Sequence, residues 1–223
     1  MPPPRPPRRR SGFSQWLDNN VPDNALIWGM VGLNVLVFIG WKMAVAADAT
    51  DPRSRKIQMM MRNFTDNWTN MTHRPWSLVT SFFSHMDFWH LGFNMFTFYF
   101  LAPPVLQILG PAKFLTLYFG AGLASNIASA ISNRLFAKRD TPSLGASAAV
   151  YGVVSYLACY APTMTFQLYG IVPIPAWICV SGLFAYDLYS SMNGLQPGTN
   201  TMGHVVGMMS GVVYYVGRRM FRL

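Results

Sequence analysis

The chain contains no glutamate, and charged residues of any kind are scarce. Only 11% of the 223 residues are charged, and its eight acidic residues are all aspartates. A soluble domain usually carries about 25% charged residues. An ordinary soluble fold is therefore disfavoured, and any general acid or base must be a His, Asp, Cys, Lys or Tyr.

Cysteine is nearly absent as well. The two cysteines, Cys159 and Cys179, fall inside apolar stretches, where thiols are expected to pack as small buried hydrophobes. Two such positions provide neither a disulfide framework nor a metal site. The chain also lacks an internal repeat of fixed period, so one compact unit is expected.

Apolar runs occupy most of the remaining sequence. Hydrophobic residues make up 52% of the chain, and a helix needs about 20 mostly apolar residues to cross a bilayer. Six windows are predicted to be transmembrane helices: 24–46, 86–108, 112–134, 146–162, 165–190 and 201–217. The predicted fold class is all-α, a polytopic membrane bundle of six helices with short connections.

The same pattern divides the chain into three parts. Residues 1–22 form a basic, proline-rich tail predicted to be disordered, residues 23–218 form the membrane domain, and residues 219–223 form a basic C-terminal tail. The net charge of +9 is spread over both ends and two loops, which indicates anchors at the lipid bilayer surface. No nucleic-acid-binding fold is visible, so nucleic acid is not an expected partner.

Five polar residues are unexpected inside these spans, because polar groups in a bilayer are costly and usually functional. They lie at the start of the second and fourth spans and in the sixth: His85, His90, Asn94, Ser147 and His204. His90 and Asn94 are four residues apart and share a helix face. The histidine pair with glutamate used by many zinc enzymes is missing, so no metal is expected. Donors that stabilise an oxyanion are the favoured interpretation.

Small residues indicate how Ser147 and His204 could meet. The sixth span has a glycine at every fourth position, a pattern that lets two helices approach closely. The fourth span offers a matching small face. The glycines of the sixth span are Gly203, Gly207 and Gly211, and the small residues of the fourth span are Ala148, Ala149 and Gly152. Their packing would bring His204 beside Ser147 as in a nucleophile–base pair, although spacing alone equally fits a packing interface with incidental hydrogen bonds.

Two further side chains have ambiguous roles. Tyr151 lies one turn after Ser147 and could pack against the imidazole of His204, although an aromatic residue in a membrane helix is more often plain core. Asp187, in the fifth span, could orient a histidine as in a Ser-His-Asp triad. It could equally cap a helix end near the membrane interface, and this second interpretation is favoured.

Three segments, taken together and in order, resemble the rhomboid family of intramembrane serine proteases: FSHMDFWHLGFNM, PSLGASAAVYG and GHVVGMMSG. The resemblance covers about residues 24–218, and the stretch ILGPAKFLTLYFGAGLASNIAS is most similar to the mitochondrial branch. It implies a serine endopeptidase that cleaves transmembrane protein substrates through a Ser–His dyad and requires no metal or organic cofactor.

The resemblance also implies roles for individual positions. Ser147 would attack the scissile carbonyl, and His204 would take its proton and deliver it to the leaving amine. Asn94, His90 and the backbone N–H of Ser147 would hold the oxyanion. The supporting positions are His85, Tyr151, Gly145, Gly207 and Gly211.

Some alternatives stay open at this level. Ala148 stands where the family usually has glycine after the serine, so the alternative function is a rhomboid-fold pseudoprotease that binds membrane proteins without cleaving them. The mitochondrial inner membrane is the favoured location. Three Asn-x-Thr acceptor patterns, at Asn63, Asn67 and Asn70, make a secretory-pathway membrane the alternative. The sequence indicates no oligomeric state.

Overall fold

A computed structural model describes residues 12–51, 53–136, 138, 140–168, 172–193 and 200–221. Within these residues the chain forms ten α-helices, one β-hairpin and a 3₁₀ turn at Ser81–Phe83. The elements are α1 (Phe13–Asn20), α2 (Asp23–Thr50), α3 (Lys56–Phe64), α4 (Trp68–His73), α5 (Ser77–Thr80), α6 (Phe88–Leu109), α7 (Pro111–Leu135), α8 (Ser147–Tyr160), β1 (Thr165–Leu168), β2 (Val172–Pro175), α9 (Ala176–Asn193) and α10 (Thr201–Phe221).

Helix α8 lies at the centre of the bundle. It packs against α6, α7, α9 and α10, and nine of its 14 residues are buried. Its residues are small or apolar nearly all round, a composition typical of a helix without a solvent face. Ser147, the first residue of α8, is therefore carried by an element that is enclosed by its neighbours.

Three helices of the described chain are long and apolar enough to cross a bilayer: α2, α6 and α7. Their large side chains face outward, as at Leu36, which is 66% exposed, and Phe93, which is 68% exposed. An apolar exterior of this kind suits lipid and not water. Half of the six predicted spans are thus long enough and apolar enough to cross a bilayer. The helix in the fourth window, α8, is apolar but shorter, and α9 and α10 do not combine the required length and hydropathy.

The fifth predicted span, 165–190, is wrong at its start. There β1 and β2 form an antiparallel hairpin with Thr165 opposite Pro175, and α9 begins only at Ala176. The reason is the pair Pro173 and Pro175. A proline removes a helical hydrogen bond and clashes with the preceding turn, so the helix cannot extend back through this segment.

Both predicted tails contain helical residues. Residues 13–20 form α1, so the prediction of disorder is wrong for them. The carboxylate of Asp18 accepts a backbone N–H from the first turn of α7 at 3.0 Å, which docks this short helix on the bundle. Residues 219–221 continue α10 and are not a separate tail. Residues 1–11 and 222–223 lie outside the described part of the chain.

The connection between α2 and α6 is a folded layer that contains α3, α4 and α5. Asp66 in this layer forms a backbone bridge with Ser143: each residue donates its N–H to the carbonyl of the other, with a nitrogen-to-oxygen distance of 2.7 Å. The amide of Asn126, in α7, donates to the Ser81 hydroxyl at 2.8 Å. Because Ser143 lies four residues before Ser147, the layer fixes the segment that leads into α8.

The three acceptor asparagines belong to this layer. Asn70 is 5% exposed, and its Nδ2 donates to the carbonyls of Met61 and Thr65 at 2.9 and 3.0 Å. The side chain of Asn67 accepts the Asn70 N–H and caps α4, and that of Asn63 donates to a carbonyl one turn earlier in α3. A glycan is attached through the amide nitrogen of asparagine. Glycosylation at Asn70 is therefore incompatible with the folded layer.

Candidate active site

Ser147 and His204 come together where α8 and α10 pack. Oγ of Ser147 lies 2.8 Å from Nε2 of His204, which is in the first turn of α10. The close approach depends on glycine. A Cβ on Gly207 or on Gly211 would collide with a backbone carbonyl of α8. The small faces of the two helices are in contact, and this contact brings the hydroxyl within reach of the imidazole.

The second ring nitrogen of His204 faces a carboxylate. Nδ1 lies 3.2 Å from Oδ2 of Asp187, and the two side chains are 12% and 6% exposed, respectively. The contact suits the tautomer of His204 that carries its proton on Nδ1, in which the Nε2 lone pair is left for Ser147. The favoured interpretation of Asp187 as a helix cap is wrong, because the residue lies inside α9 and its carboxylate contacts the histidine.

Tyr151 packs against the same imidazole. The ring centroids of Tyr151 and His204 are 4.8 Å apart, and the ring planes meet at 69°, an edge-to-face arrangement. Tyr151 follows Ser147 by one turn of α8, so the helix places its ring on the side of the hydroxyl. The structure therefore shows Tyr151 in contact with the imidazole, and not only as part of the apolar core.

Two serines of α7 hold the start of α10, and reasoning from the sequence missed them. Oγ of Ser125 donates to the carbonyl of Gly203, and Oγ of Ser129 donates to Oδ1 of Asn200, both at 2.9 Å. The same Asn200 oxygen accepts the Gly203 N–H at 2.9 Å, as a helix N-cap does. The signal that could have found them is two serines four residues apart in an apolar helix.

A cavity of about 500 Å³ lies beside the Ser147–His204 pair. Both predicted oxyanion residues, Asn94 and His90, line it. Nδ2 of Asn94 donates to the His90 carbonyl at 2.8 Å within α6, which leaves the second amide N–H for a bound group. Both polar and apolar residues line the cavity: His90, Phe93, Asn94, Thr97, Pro142, Ser143, Leu144, Ser147, Val150, Tyr151, Asn200 and His204.

His85 is not one of the described residues that line this cavity. It is fully buried, its ring packs edge-on to His90 with centroids 4.8 Å apart, and its Nε2 accepts the Ala146 N–H at 3.4 Å. Burial, with a smaller contribution from His90, lowers the pKa of His85 to about 3. The ring is therefore neutral near pH 7 and supports the residue before Ser147.

Gly145 completes this support. Its φ of +127° lies in the region that favours glycine, and a Cβ would come within 2.8 Å of Cε1 of His90. Its N–H donates to the Ser81 carbonyl at 2.9 Å. Only glycine therefore lets the chain turn this close to the histidine rings immediately before α8 begins.

In the described part of the chain, no three His, Cys, Asp or Glu residues are grouped as metal ligands would be. Cys159 and Cys179 are free and half-buried. The polar side chains of the cavity wall instead lie beside a hydroxyl–imidazole–carboxylate series formed by Ser147, His204 and Asp187. Such a series can activate a nucleophile by proton transfer alone.

Residues 72–220 match the family described as the Rhomboid domain. The chain is 30% identical over 197 residues to "Rhomboid protein 1, mitochondrial" of Saccharomyces cerevisiae, with 85% of this chain covered. It is 28% identical over 200 residues to "RHOMBOID-like protein 12, mitochondrial" of Arabidopsis thaliana, with 83% covered. It is 29% identical over 154 residues to "Presenilin-associated rhomboid-like protein, mitochondrial" of Homo sapiens, with 69% covered.

The matched regions are 52%, 56% and 37% of these three relatives, so the chain spans about half of their length or less. All three carry the word mitochondrial in their names, and the predicted similarity to the mitochondrial branch is confirmed. The family match covers most of the chain, from α4 almost to the end of α10. The chain therefore belongs to the rhomboid family, in its mitochondrial branch.

Proposed function

We propose that this chain is an intramembrane serine endopeptidase that hydrolyses peptide bonds of transmembrane protein substrates through Ser147 and His204. The observation that carries the proposal is the 2.8 Å contact between Ser147 Oγ and His204 Nε2. Nε2 takes the hydroxyl proton as Oγ attacks the scissile carbonyl. The imidazolium then gives this proton to the leaving amine. A water molecule, activated by the same histidine, releases the acyl group from Ser147.

The negative charge that develops on the carbonyl oxygen needs donors on the same side of the cavity. Helix α8 has no side-chain cap at its N-terminus, so the N–H of Ser147 in its first turn can serve an anion, and the helix dipole favours negative charge there. We assign Asn94 and His90, which line the cavity from α6, as further donors to the oxyanion.

The length of α8 supports a site below the membrane surface. Its 14 residues correspond to about 21 Å at 1.5 Å per residue, whereas the hydrocarbon core is about 30 Å thick. Helix α8 cannot cross the bilayer alone, and its neighbours α6, α7, α9 and α10 shield it from lipid. We infer that these five helices and α2 are the six spans, and that the cavity brings water down to Ser147.

A substrate helix must open before it can be cleaved at this site. In an intact membrane helix the backbone carbonyls are hydrogen-bonded to N–H groups of the next turn. The carbonyl that Ser147 attacks must be released from that bond. We therefore expect cleavage beside small or helix-weakening residues of the substrate.

Ala148 does not obstruct this mechanism. It lies in the first turn of α8 and does not have a positive φ, so a glycine is not required there by the backbone. Ala148 is not among the described residues that line the cavity. We infer that its methyl group does not fill the space beside Ser147, and this supports a protease over a pseudoprotease.

The location that we propose is the mitochondrial inner membrane. The mitochondrial relatives and the membrane-length helices support a mitochondrial membrane protein. The engaged amide of Asn70 removes one of the three acceptor sites that would have suited the secretory pathway. Fractionation of mitochondria that contain the tagged full chain checks this location.

The activity is tested by reconstituting the full chain in liposomes with a model transmembrane substrate. We expect the wild type to cleave it, and Ser147→Ala and His204→Ala to lower the rate by about 10³-fold or more. Ser155→Ala is a matched control. Ser155 is a buried serine two turns further along α8, and its hydroxyl has no hydrogen-bond partner in the described structure, so its loss should leave the rate unchanged.

Two outcomes would contradict the proposal. Equal cleavage by wild type and Ser147→Ala would show that Ser147 is not the nucleophile. Binding of the substrate by the wild type with no cleavage would favour the pseudoprotease.

A further inference from the structure

Asp187 is the one charged residue in α9, a helix otherwise made of apolar, small and uncharged polar residues. It is 4% exposed. A buried carboxylate is costly unless it is paired and hydrogen-bonded, above all inside a bilayer. Within the described residues its hydrogen-bond partner is Nδ1 of His204, at 3.2 Å. The pairing explains how a charge is tolerated at this depth of the bundle.

We propose that Asp187 is a positioning residue of the reaction, so that this chain uses a Ser–His–Asp series instead of a Ser–His pair. This inference rests on the proposed function and names a third member of the same site. The carboxylate accepts a hydrogen bond from the Nδ1–H of His204 and thereby keeps the Nε2 lone pair on the side of Ser147. When Nε2 takes the Ser147 proton, the positive imidazolium faces the negative carboxylate. Asp187 itself gains and loses no proton.

The surroundings of His204 leave this task to Asp187. Tyr151 of α8 packs edge-to-face with the imidazole, and His90 of α6 lines the same cavity. In the part of the chain that the structure describes, neither of them is hydrogen-bonded to Nδ1, whereas Asp187 is. Without the carboxylate the imidazole would be free to hold its proton on Nε2, where it could not accept the serine proton.

The kinetic test uses Asp187→Asn in the reconstituted full chain, because asparagine keeps the shape and removes the charge. We expect kcat to fall about 10²-fold or more while KM stays within about threefold, since loss of the correct tautomer slows the chemical step and not substrate binding. Ser190→Ala is the control. Ser190 lies one turn further along the buried face of α9, 1% exposed and with no hydrogen-bond partner in the described structure, and its loss should leave kcat unchanged.

A second measurement reads the tautomer of His204 directly. The chain has four histidines, so a sample labelled with ¹⁵N-histidine gives few imidazole signals, and the His204→Gln spectrum identifies those of His204. We expect neutral His204 of the wild type to carry its proton on Nδ1. In Asp187→Asn the Nε2–H form should become populated.

The outcomes separate this inference from the proposed function. If Asp187→Asn keeps wild-type kcat, or if wild-type His204 carries its proton on Nε2, the role of Asp187 is overturned while loss of activity in Ser147→Ala still supports the protease. If the wild type itself cleaves nothing, the proposed function fails. In that case the ¹⁵N spectra of the wild type and of Asp187→Asn together still decide whether Asp187 sets the tautomer.

Discussion

Two histidines flank the start of α8, and they are used in opposite ways. The side chain of His204 is 12% exposed, and its two ring nitrogens face the Ser147 hydroxyl, which can give up a proton, and the Asp187 carboxylate, which can accept a hydrogen bond. His85 is fully buried, and it accepts a single backbone N–H. Its pKa is lowered to about 3, mainly by burial. Access to the cavity and the chemistry of the partners, not the residue type, distinguish a reactive histidine from a supporting one.

The two sides of α8 are also built differently. On the side of His204, glycines of α10 let two helix backbones touch, so the distance to Ser147 depends on van der Waals contact. On the side of His85, hydrogen bonds from the layer between α2 and α6 hold the segment that leads into α8, as at Ser143 and Gly145. Changes on the first side should therefore affect catalysis, and changes on the second side should affect stability.

The largest expected contrast is between the same substitution at the two histidines. At a temperature where both variants are folded, His204→Ala should lower the cleavage rate about 10³-fold or more, whereas His85→Ala should keep most of the wild-type rate. His85→Ala removes a fully buried ring and should cost about 2–4 kcal/mol, which lowers the melting temperature by about 5–15 °C. Cleavage at a low temperature and thermal unfolding of both variants measure this contrast. Loss of activity in a thermally unchanged His85→Ala would break it.

A smaller effect is expected from the helix contact. Gly207→Ala places a methyl group against the Ala148 carbonyl, so α10 must move away from α8 and carry His204 with it. Misplacement of a reacting group by about 1 Å can cost about 10²-fold in rate. Gly217→Ala is the matched control, because its Cβ would meet nothing within 4 Å. Equal rates for Gly207→Ala and Gly217→Ala would show that the contact does not set the geometry.

The smallest effect, taken for each pH unit, concerns the pH dependence of stability on the supporting side. Asp66 is 1% exposed and its carboxylate has no hydrogen-bond partner in the described chain. Burial and, to a lesser extent, the Asp140 carboxylate raise the pKa of Asp66 to about 7. The folded state therefore keeps a proton that the unfolded state releases at lower pH. This stabilisation is complete below the unfolded pKa and is lost as pH rises towards 7.

His85 has the opposite sign. Its lowered pKa means that the unfolded chain binds a proton below about pH 6.5 that the folded chain does not bind, so its contribution to stability rises with pH. Between about pH 4 and 6.5 the two contributions largely cancel in the wild type. As the pH rises through this window, the free energy of unfolding of Asp66→Asn should therefore increase by about 1.4 kcal/mol per pH unit relative to that of wild type. Unfolding at a series of pH values measures the gain.

The control for this prediction is Asp51→Asn, at an exposed aspartate of the same connection. Asp51→Asn removes the same kind of carboxyl group from the protein surface, so the pH dependence that Asp66→Asn shows in excess of Asp51→Asn is assigned to the buried site. A constant difference for Asp66→Asn over the same window would contradict the assigned state of Asp66.

The parts of the site that follow from local periodicity could be predicted from the sequence. The glycines at every fourth position of α10 and the small residues of α8 indicated a close helix contact, because side chains four residues apart share a helix face. The order of the three quoted segments carried the family resemblance. The long apolar helices α2, α6 and α7 followed from hydropathy and length alone.

The rest depends on contacts between residues distant in sequence. The carboxylate of Asp187 reaches His204 only because α9 packs beside α10, and Ser125 and Ser129 matter only because α7 lies against the start of α10. The layer between α2 and α6 has no single periodicity and is held by pairing such as that of Asp66 with Ser143. The hairpin of β1 and β2 is hard to predict because Pro173 and Pro175 lie within a continuous apolar run that resembles part of a membrane span.

Covalent labelling by a fluorophosphonate probe tests most directly whether Ser147 is an activated nucleophile. Oγ attacks phosphorus, fluoride leaves, and the hydroxyl proton passes to Nε2 of His204. We predict that mass spectrometry of the labelled wild type in liposomes finds the adduct on Ser147, and that His204→Ala lowers the labelling rate by about 10²-fold or more. An adduct on another serine, or labelling of Ser147 at the same rate in wild type and His204→Ala, would contradict the Ser147–His204 mechanism.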